Sequence, residues 1–283
     1  MPELQLRGGE VDGLRLHYVV EGRGPAVILV HGLGGFAETW RHNIAPLAGR
    51  ATVFALDLPG FGASAKPRTR YRLTDFARAL RGFMDGLGLA QASLVGHSLG
   101  GAVSITYALT HPSRVERLAL VGAVVPGCGY RPSWIFRLVA LRGLGELLSC
   151  VGCASLYKAA LARCFHAPDR AEVDFFVDYC YAARTDAAAR GAYLATLRDV
   201  RIDLEAHAQD YRRALATLEL PVLLIHGRQD RVVPREHCAE VAGVLRHAAV
   251  RWVDACGHFP QIEHVEAVNA WLANFLVGRP APR

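Results

Sequence analysis

A serine hydroxyl is a poor nucleophile until a base can take its proton, so a serine held out in the open near a histidine is the first feature to seek. The stretch "LVGHSLGGAV" at 94–103 holds such a serine. Ser98 sits in a G-x-S-x-G pattern, between an apolar run and a helix-forming run. The glycines permit a strained strand-to-helix turn from which Ser98 protrudes above the strand end. The same turn places a helix N-terminus beside the hydroxyl, so the Leu99 N–H points at negative charge developing there.

The base candidate is His258 in "DACGHFPQIEH", just past a strand-like run and followed by Phe259-Pro260, as in an exposed loop. The acid candidate is Asp230 in "LLIHGRQDRVVP", again just past a buried-strand pattern. Rival histidines, His247 and His264, fall in stretches that read as helical, and the rival carboxylate Asp254 reads as part of the last strand. The segment after "LALVGAVV" offers no carboxylate. A second oxyanion donor is assigned to the Leu33 N–H in "HGLGG", 31–35, where the glycines let backbone approach a substrate oxygen. His97 reads as packing or hydrogen bonding near the site, and with Tyr130, Trp134 and Phe259 it is a candidate pocket residue. His31 reads as a brace of its own loop and Asp57 as a turn former.

Such residues work together only if the chain brings them to one edge. The first part of the chain alternates buried-strand patterns (26–32, 51–60, 92–98, 115–124) with helical ones, which predicts an α/β fold with a mostly parallel sheet. An alternating strand, 14–22, precedes them. No buried-strand run occurs between about 126 and 207, where helical patterns dominate, for instance over 171–200. Strand patterns return at 221–230 and 249–258. The predicted organisation is a core (1–125 and 208–283) interrupted by an all-helical cap (126–207). Ser98, Asp230 and His258 would then lie at the carboxyl ends of strands, where open α/β sheets bind ligands.

Composition narrows the class. The chain has 283 residues, 52% hydrophobic and 20% charged, with a formal net charge of +6, which is globular and not disordered. The basic excess is scattered arginine without interleaved aromatics, so no nucleic-acid partner is expected. The start of the chain lacks a secretory pattern, and the apolar stretch 134–157 is broken by Arg137, Arg142 and Glu146, so no stable membrane insertion is expected. Seven cysteines at irregular spacing do not make a disulfide framework, and a reducing cytoplasm is the expected compartment. Cys150 and Cys153 form a lone C-x-x-C without the partners a zinc site needs, and His237 and His247 lack ligand spacing. Stretch 134–157 could also serve as a subunit contact, which leaves monomer or dimer open.

The motifs "HGLGG", "DLPGFGAS", "VGHSLGG", "GRQDRVVP" and "GHFPQIEH" run through nearly the whole chain in order, and in them the sequence resembles α/β-hydrolase fold proteins with a helical cap. The resemblance implies an eight-stranded, mostly parallel sheet and Ser98, Asp230 and His258 as a triad, with no cofactor. A serine at the nucleophile position disfavours the aspartate-dependent epoxide hydrolase and haloalkane dehalogenase branches. The first expectation is a carboxylesterase for small or medium acyl esters, working through an acyl-enzyme. The alternative is a carbon–carbon bond hydrolase similar to the meta-cleavage product hydrolases. Those tend to carry Asn before the nucleophile and HGxGPG in the oxyanion loop, where this chain has His97 and "HGLGGF". A non-catalytic ligand-binding member of the fold is the third possibility, disfavoured because all three triad residues are present.

Overall fold

The computed structural model describes residues 2–151 and 154–277. Eight strands form one sheet: β1 (Glu3–Gln5), β2 (Arg15–Glu21), β3 (Ala26–Val30), β4 (Thr52–Leu56), β5 (Ala92–His97), β6 (Val115–Val121), β7 (Val222–Gly227) and β8 (Ala248–Val253). Their spatial order is β1-β2-β4-β3-β5-β6-β7-β8. β2 runs antiparallel to both β1 and β4. From β4 to β8 every pairing is parallel.

The central strands read as unbroken apolar runs because both of their faces are covered. Side chains alternate between the faces with the two-residue period of a strand. On β3, Ile28 and Val30 enter one core, and Val27 and Leu29 the other. β7 does the same with Val222 and Leu224 against Leu223 and Ile225. The first core is closed by α2 (Leu73–Gly86) and α3 (Leu99–Thr110), through Leu80, Phe83 and Tyr107. The second is closed by α1 (Arg41–Ala48) and α12 (Val265–Val277), through Ile44, Leu47, Val268 and Leu272.

Between β6 and β7 the described residues form six helices: α4 (Trp134–Val139), α5 (Leu144–Val151), α6 (Ala154–Ala162), α7 (Arg170–Thr185), α8 (Ala187–Ala206) and α9 (Ala208–Leu215). They join the sheet domain through a third apolar cluster that contains Phe36, Phe165, Phe176 and Phe259. Arg41 reinforces this seam: it pairs with Glu172 and lies over the Phe175 ring at 3.8 Å. α10 (Arg235–Val244) and α11 (Pro260–Glu263) complete the fold.

Three details differ from expectation. β1 carries no sequence signal because it is three residues long at an exposed edge. The helical pattern over 171–200 is split at Asp186, which caps α8 by accepting from the Ala188 N–H at 2.9 Å. His247 and His264 lie outside helices, in the turn before β8 and between α11 and α12, and Asp254 follows β8 rather than lying in it. Cys153 of the C-x-x-C pair lies outside the described residues.

Burial of histidines gives the fold an acid limit. His31, His97, His226 and His237 are buried, and desolvation pulls each below 6.5, His97 to about 3 and His237 to about 4. Below 6.5 the unfolded chain binds protons that the native chain refuses, so stability falls with pH until the native values are reached. The slope is about 1.4 kcal/mol per pH unit for each histidine. Urea midpoints are therefore expected to drop steeply as pH falls from about 6.5 to about 4. Midpoints that stay level over that window would contradict the buried neutral state.

Candidate active site

β5 ends at His97, and the next residue, Ser98, takes φ 52° and ψ −118° before α3 begins. Positive φ is costly for a residue with a side chain and persists only where the surroundings hold it. Here the Ser98 N–H donates to the Val121 carbonyl at 3.1 Å, and the Ser98 carbonyl accepts from Val124 N–H at 3.1 Å. The turn also needs close approach of bare backbone. A Cβ on Gly100 would sit 2.2 Å from the Val30 carbonyl oxygen.

The loop after β3 meets this turn directly. A Cβ on Gly32 would lie 2.9 Å from Ser98 Cβ and 3.0 Å from His97 Nδ1. The loop is braced by His31, whose Nδ1 lies 2.7 Å from the Gly32 carbonyl while its Nε2 accepts from Leu58 N–H at 3.0 Å. The Leu33 and Leu99 N–H groups have no protein partner among the described residues. Two such donors beside a serine turn can hold an oxyanion.

Asp230 follows β7 and His258 follows β8. His258 Nδ1 and Asp230 Oδ2 are 2.8 Å apart. The other carboxylate oxygen accepts the Val232 and Val233 N–H groups at 2.8 and 2.9 Å. Burial pushes the Asp230 carboxyl up, but His258 and its hydrogen bond, with His226 and the Val233 N–H, hold it below the ordinary carboxylate range. The end of β6 abuts this pair: a Cβ on Gly122 would lie 3.0 Å from the His258 carbonyl oxygen and 3.5 Å from Asp230 Oδ2. The carboxyl-terminal rim of the sheet thus gathers Ser98, Asp230 and His258, all buried.

The backbone around His258 is tied down on every side. Its N–H donates to the Cys164 carbonyl, in the helical segment, at 2.7 Å. Its carbonyl accepts from His97 Nε2 at 2.8 Å. Glu263 accepts from the Gly257 and Phe259 N–H groups at 2.9 and 3.3 Å through one oxygen, and from His166 N–H at 2.7 Å through the other. Glu263 went unnoticed in the sequence, although a carboxylate five residues beyond the loop histidine, on the helix that Pro260 opens, was a readable signal. Glu263→Ala is expected to lower kcat by roughly 100-fold, the scale of an ångström's misplacement, with KM little changed. Glu263→Gln, which keeps an acceptor, should recover much of the loss in steady-state assays.

The pocket candidates separate. Phe259 is buried, stacked between His97 (5.0 Å) and Phe165 (4.8 Å). His97 braces the site instead of lining it: it is 2% exposed and closed in by Trp40 and Phe259, and burial and the neighbouring His258 charge drop it to about 3, so it stays neutral. Tyr130 is half-buried against His237, its hydroxyl pushed up by burial and by the Asp230 charge. Trp134 corrects the expectation, because it is 72% exposed on α4. Aromatic rings that sequence reasoning missed line the loop after β3: Tyr179 stacks on Phe36 at 3.6 Å, and a Cβ on Gly34 would lie 3.4 Å from the Tyr193 ring. Asp57 does more than turn the chain. It accepts the Ala37 and Ala63 N–H groups and pairs with buried His17 at 2.7 Å, tying the loop after β3 to the loop after β4. Among the described residues no group of three or more His, Cys, Asp or Glu side chains could hold a metal ion.

A family model described as alpha/beta hydrolase fold matches residues 25–142 and 171–265. An uncharacterised protein of Mycobacterium bovis is 31% identical, over 92% of this chain and 76% of its own length. The 2-hydroxy-6-oxo-6-(2'-aminophenyl)hexa-2,4-dienoic acid hydrolase of Metapseudomonas resinovorans is 30% identical, over 94% of this chain and 89% of its own. Among solved structures, a 2-hydroxy-6-oxo-6-phenylhexa-2,4-dienoate hydrolase from Rhodococcus sp. strain RHA1 superposes with a TM-score of 0.83 at 28% identity, covering 97% of this chain and 98% of the other.

Proposed function

Because the chain belongs to the alpha/beta hydrolase fold family, we propose that it is a serine hydrolase in which Ser98, His258 and Asp230 are nucleophile, base and orienting acid. The observation that carries this reading is a histidine held by a buried aspartate at the same sheet rim as the left-handed Ser98 turn. Ser98 Oγ attacks a carbonyl carbon as His258 Nε2 takes its proton. The Leu33 and Leu99 N–H groups stabilise the oxyanion, each donor being worth about 3 kcal/mol in such sites. His258 returns the proton to the leaving group, and water then repeats the attack on the acyl-serine.

For the bond cleaved, the reading favoured is a carbon–carbon bond next to a ketone in a 2-hydroxy-6-oxo-dienoate. It is supported by relatives that carry that activity in their names and match nearly the whole chain. A carbon can leave only where its electron pair is delocalised, so the dienol must first become the 2,6-dioxo tautomer, the 2-hydroxyl losing a proton and C5 gaining one; the pair left on C5 is then spread as a dienolate onto the 2-oxo group. Carboxylic esters of small or medium acyl chains are the second reading. His97 before the nucleophile and the "HGLGGF" loop favour it.

The test is a parallel assay of 2-hydroxy-6-oxo-6-phenylhexa-2,4-dienoate, followed by loss of its visible absorbance, and of p-nitrophenyl acetate and butyrate. Dienoate kcat/KM is expected to exceed that of the esters by at least about 100-fold, about 2.7 kcal/mol of transition-state preference. The reverse ratio would select esters. Turnover that survives Ser98→Ala would remove the serine mechanism.

A further inference from the structure

Apart from Val20 on β2, the large apolar side chains left in water among the described residues all lie in the helical segment between β6 and β7. Trp134, Ile135 and Leu138 on α4 are exposed, as are Leu141 just beyond it, Leu147 on α5, Leu156 on α6 and Ile202 on α8. On α4, positions 134 and 138 are spaced i, i+4 and positions 135 and 138 i, i+3, so the three share one helix face. That face is turned outward, while Phe136 and Val139 are half-buried on the other side. The end of α4 is pinned to α8, where Arg198 Nε donates to the Ala140 carbonyl at 2.8 Å, and Leu141 and Ile202 border one surface hollow. An exposed apolar face of this extent marks a contact surface.

Charge identifies what covers it. Arg131, Arg137 and Arg142 flank the face, are exposed, and make no ion pair among the described residues. Residues 126–166 hold five Lys and Arg against one acid, Glu146, which pairs with Arg198. An exposed tryptophan and leucines with a cationic rim are the pattern of a helix lying in a membrane interface beside anionic lipid. A second copy of the chain fits poorly, because a two-fold contact through this self-same face would set its arginines against each other. Among the described residues no single helix is long and apolar enough to cross a membrane. We propose that the α4 face docks the protein sideways on an anionic phospholipid bilayer. The docking is separate from the reaction proposed above and stands or falls without it.

The test is co-sedimentation of the full chain with vesicles of phosphatidylcholine alone and of phosphatidylcholine with phosphatidylglycerol. Partition to the anionic vesicles is expected to be at least about tenfold stronger and to weaken with salt. Arg137→Glu/Arg142→Glu and Trp134→Ser/Leu138→Ser should each reduce that partition by about tenfold or more while thermal unfolding stays unchanged, since every changed side chain is exposed. Absence of sedimentation with anionic vesicles overturns the proposal, as does sedimentation indifferent to lipid charge or to both variants. A concentration-dependent dimer that Leu138→Ser dissociates also overturns it, by assigning the face to a second copy.

Discussion

Ser98→Ala is expected to remove turnover by a factor on the order of 10⁶ while leaving the fold intact. The change deletes one oxygen and keeps the Cβ, so the backbone at φ 52° and the hydrogen bonds to Val121 and Val124 should persist. Neither the Leu33 nor the Leu99 donor depends on the hydroxyl, so substrate binding should survive. Residual activity of about 10³–10⁴ over water can come from those donors and from binding alone. A companion variant separates chemistry from strain. Ser98→Gly would also be inactive, yet more stable by about 1 kcal/mol, because glycine accepts positive φ without penalty. Single-turnover kinetics with thermal melts of both variants test this. An active Ser98→Ala protein would move the nucleophile elsewhere, and a Ser98→Gly protein no more stable would deny the strained turn.

Asp230→Asn is expected to cost about 10⁴ in kcat with little change of structure. The reason lies in what each carboxylate oxygen touches. Oδ1 accepts two N–H groups, from Val232 and Val233, and Oδ2 faces His258 Nδ1. An asparagine must give its oxygen to the two valine N–H groups, since an NH₂ there would be buried against donors. Its NH₂ then faces His258 and donates to Nδ1. The imidazole is forced to carry its proton on Nε2, the nitrogen that has to accept from Ser98. Loss of the negative charge removes, in addition, the stabilisation of the imidazolium formed during attack. The pH profile of kcat for the variant, beside a melt to verify folding, checks the outcome. A loss below about tenfold would mean that Asp230 does not set the tautomer.

Much of the positioning scaffold was readable along the chain because its signals are local. Buried runs such as "AVILV" in β3 and "VLLI" in β7 are apolar at every position, since helices cover both sheet faces. The serine turn announces itself through glycines that steric contact requires. Asp230 could be chosen because it follows such a strand, and His258 because it follows the last strand-like run at the same rim. What stayed hidden rests on contacts between segments far apart in sequence. The carbonyl of His258 is held by His97, and its N–H by Cys164. Nothing local to residue 258 specifies either partner. Trp134 was misplaced for the same reason: an aromatic on a short amphipathic helix reads alike whether its face meets the site or water.

The sequence by itself determined the chemistry on offer, the order of strands and helices, and the turn that lifts Ser98, because strand periodicity, glycine sterics and side-chain type act over a few residues. Only the tertiary structure decided that Glu263 and His97 secure the backbone around His258, that Asp57 ties the loop after β3 to the loop after β4, and that α4 shows its apolar face to solvent. Those outcomes depend on which distant surfaces pack together, and hydrogen-bond partners and exposure are settled only when they do.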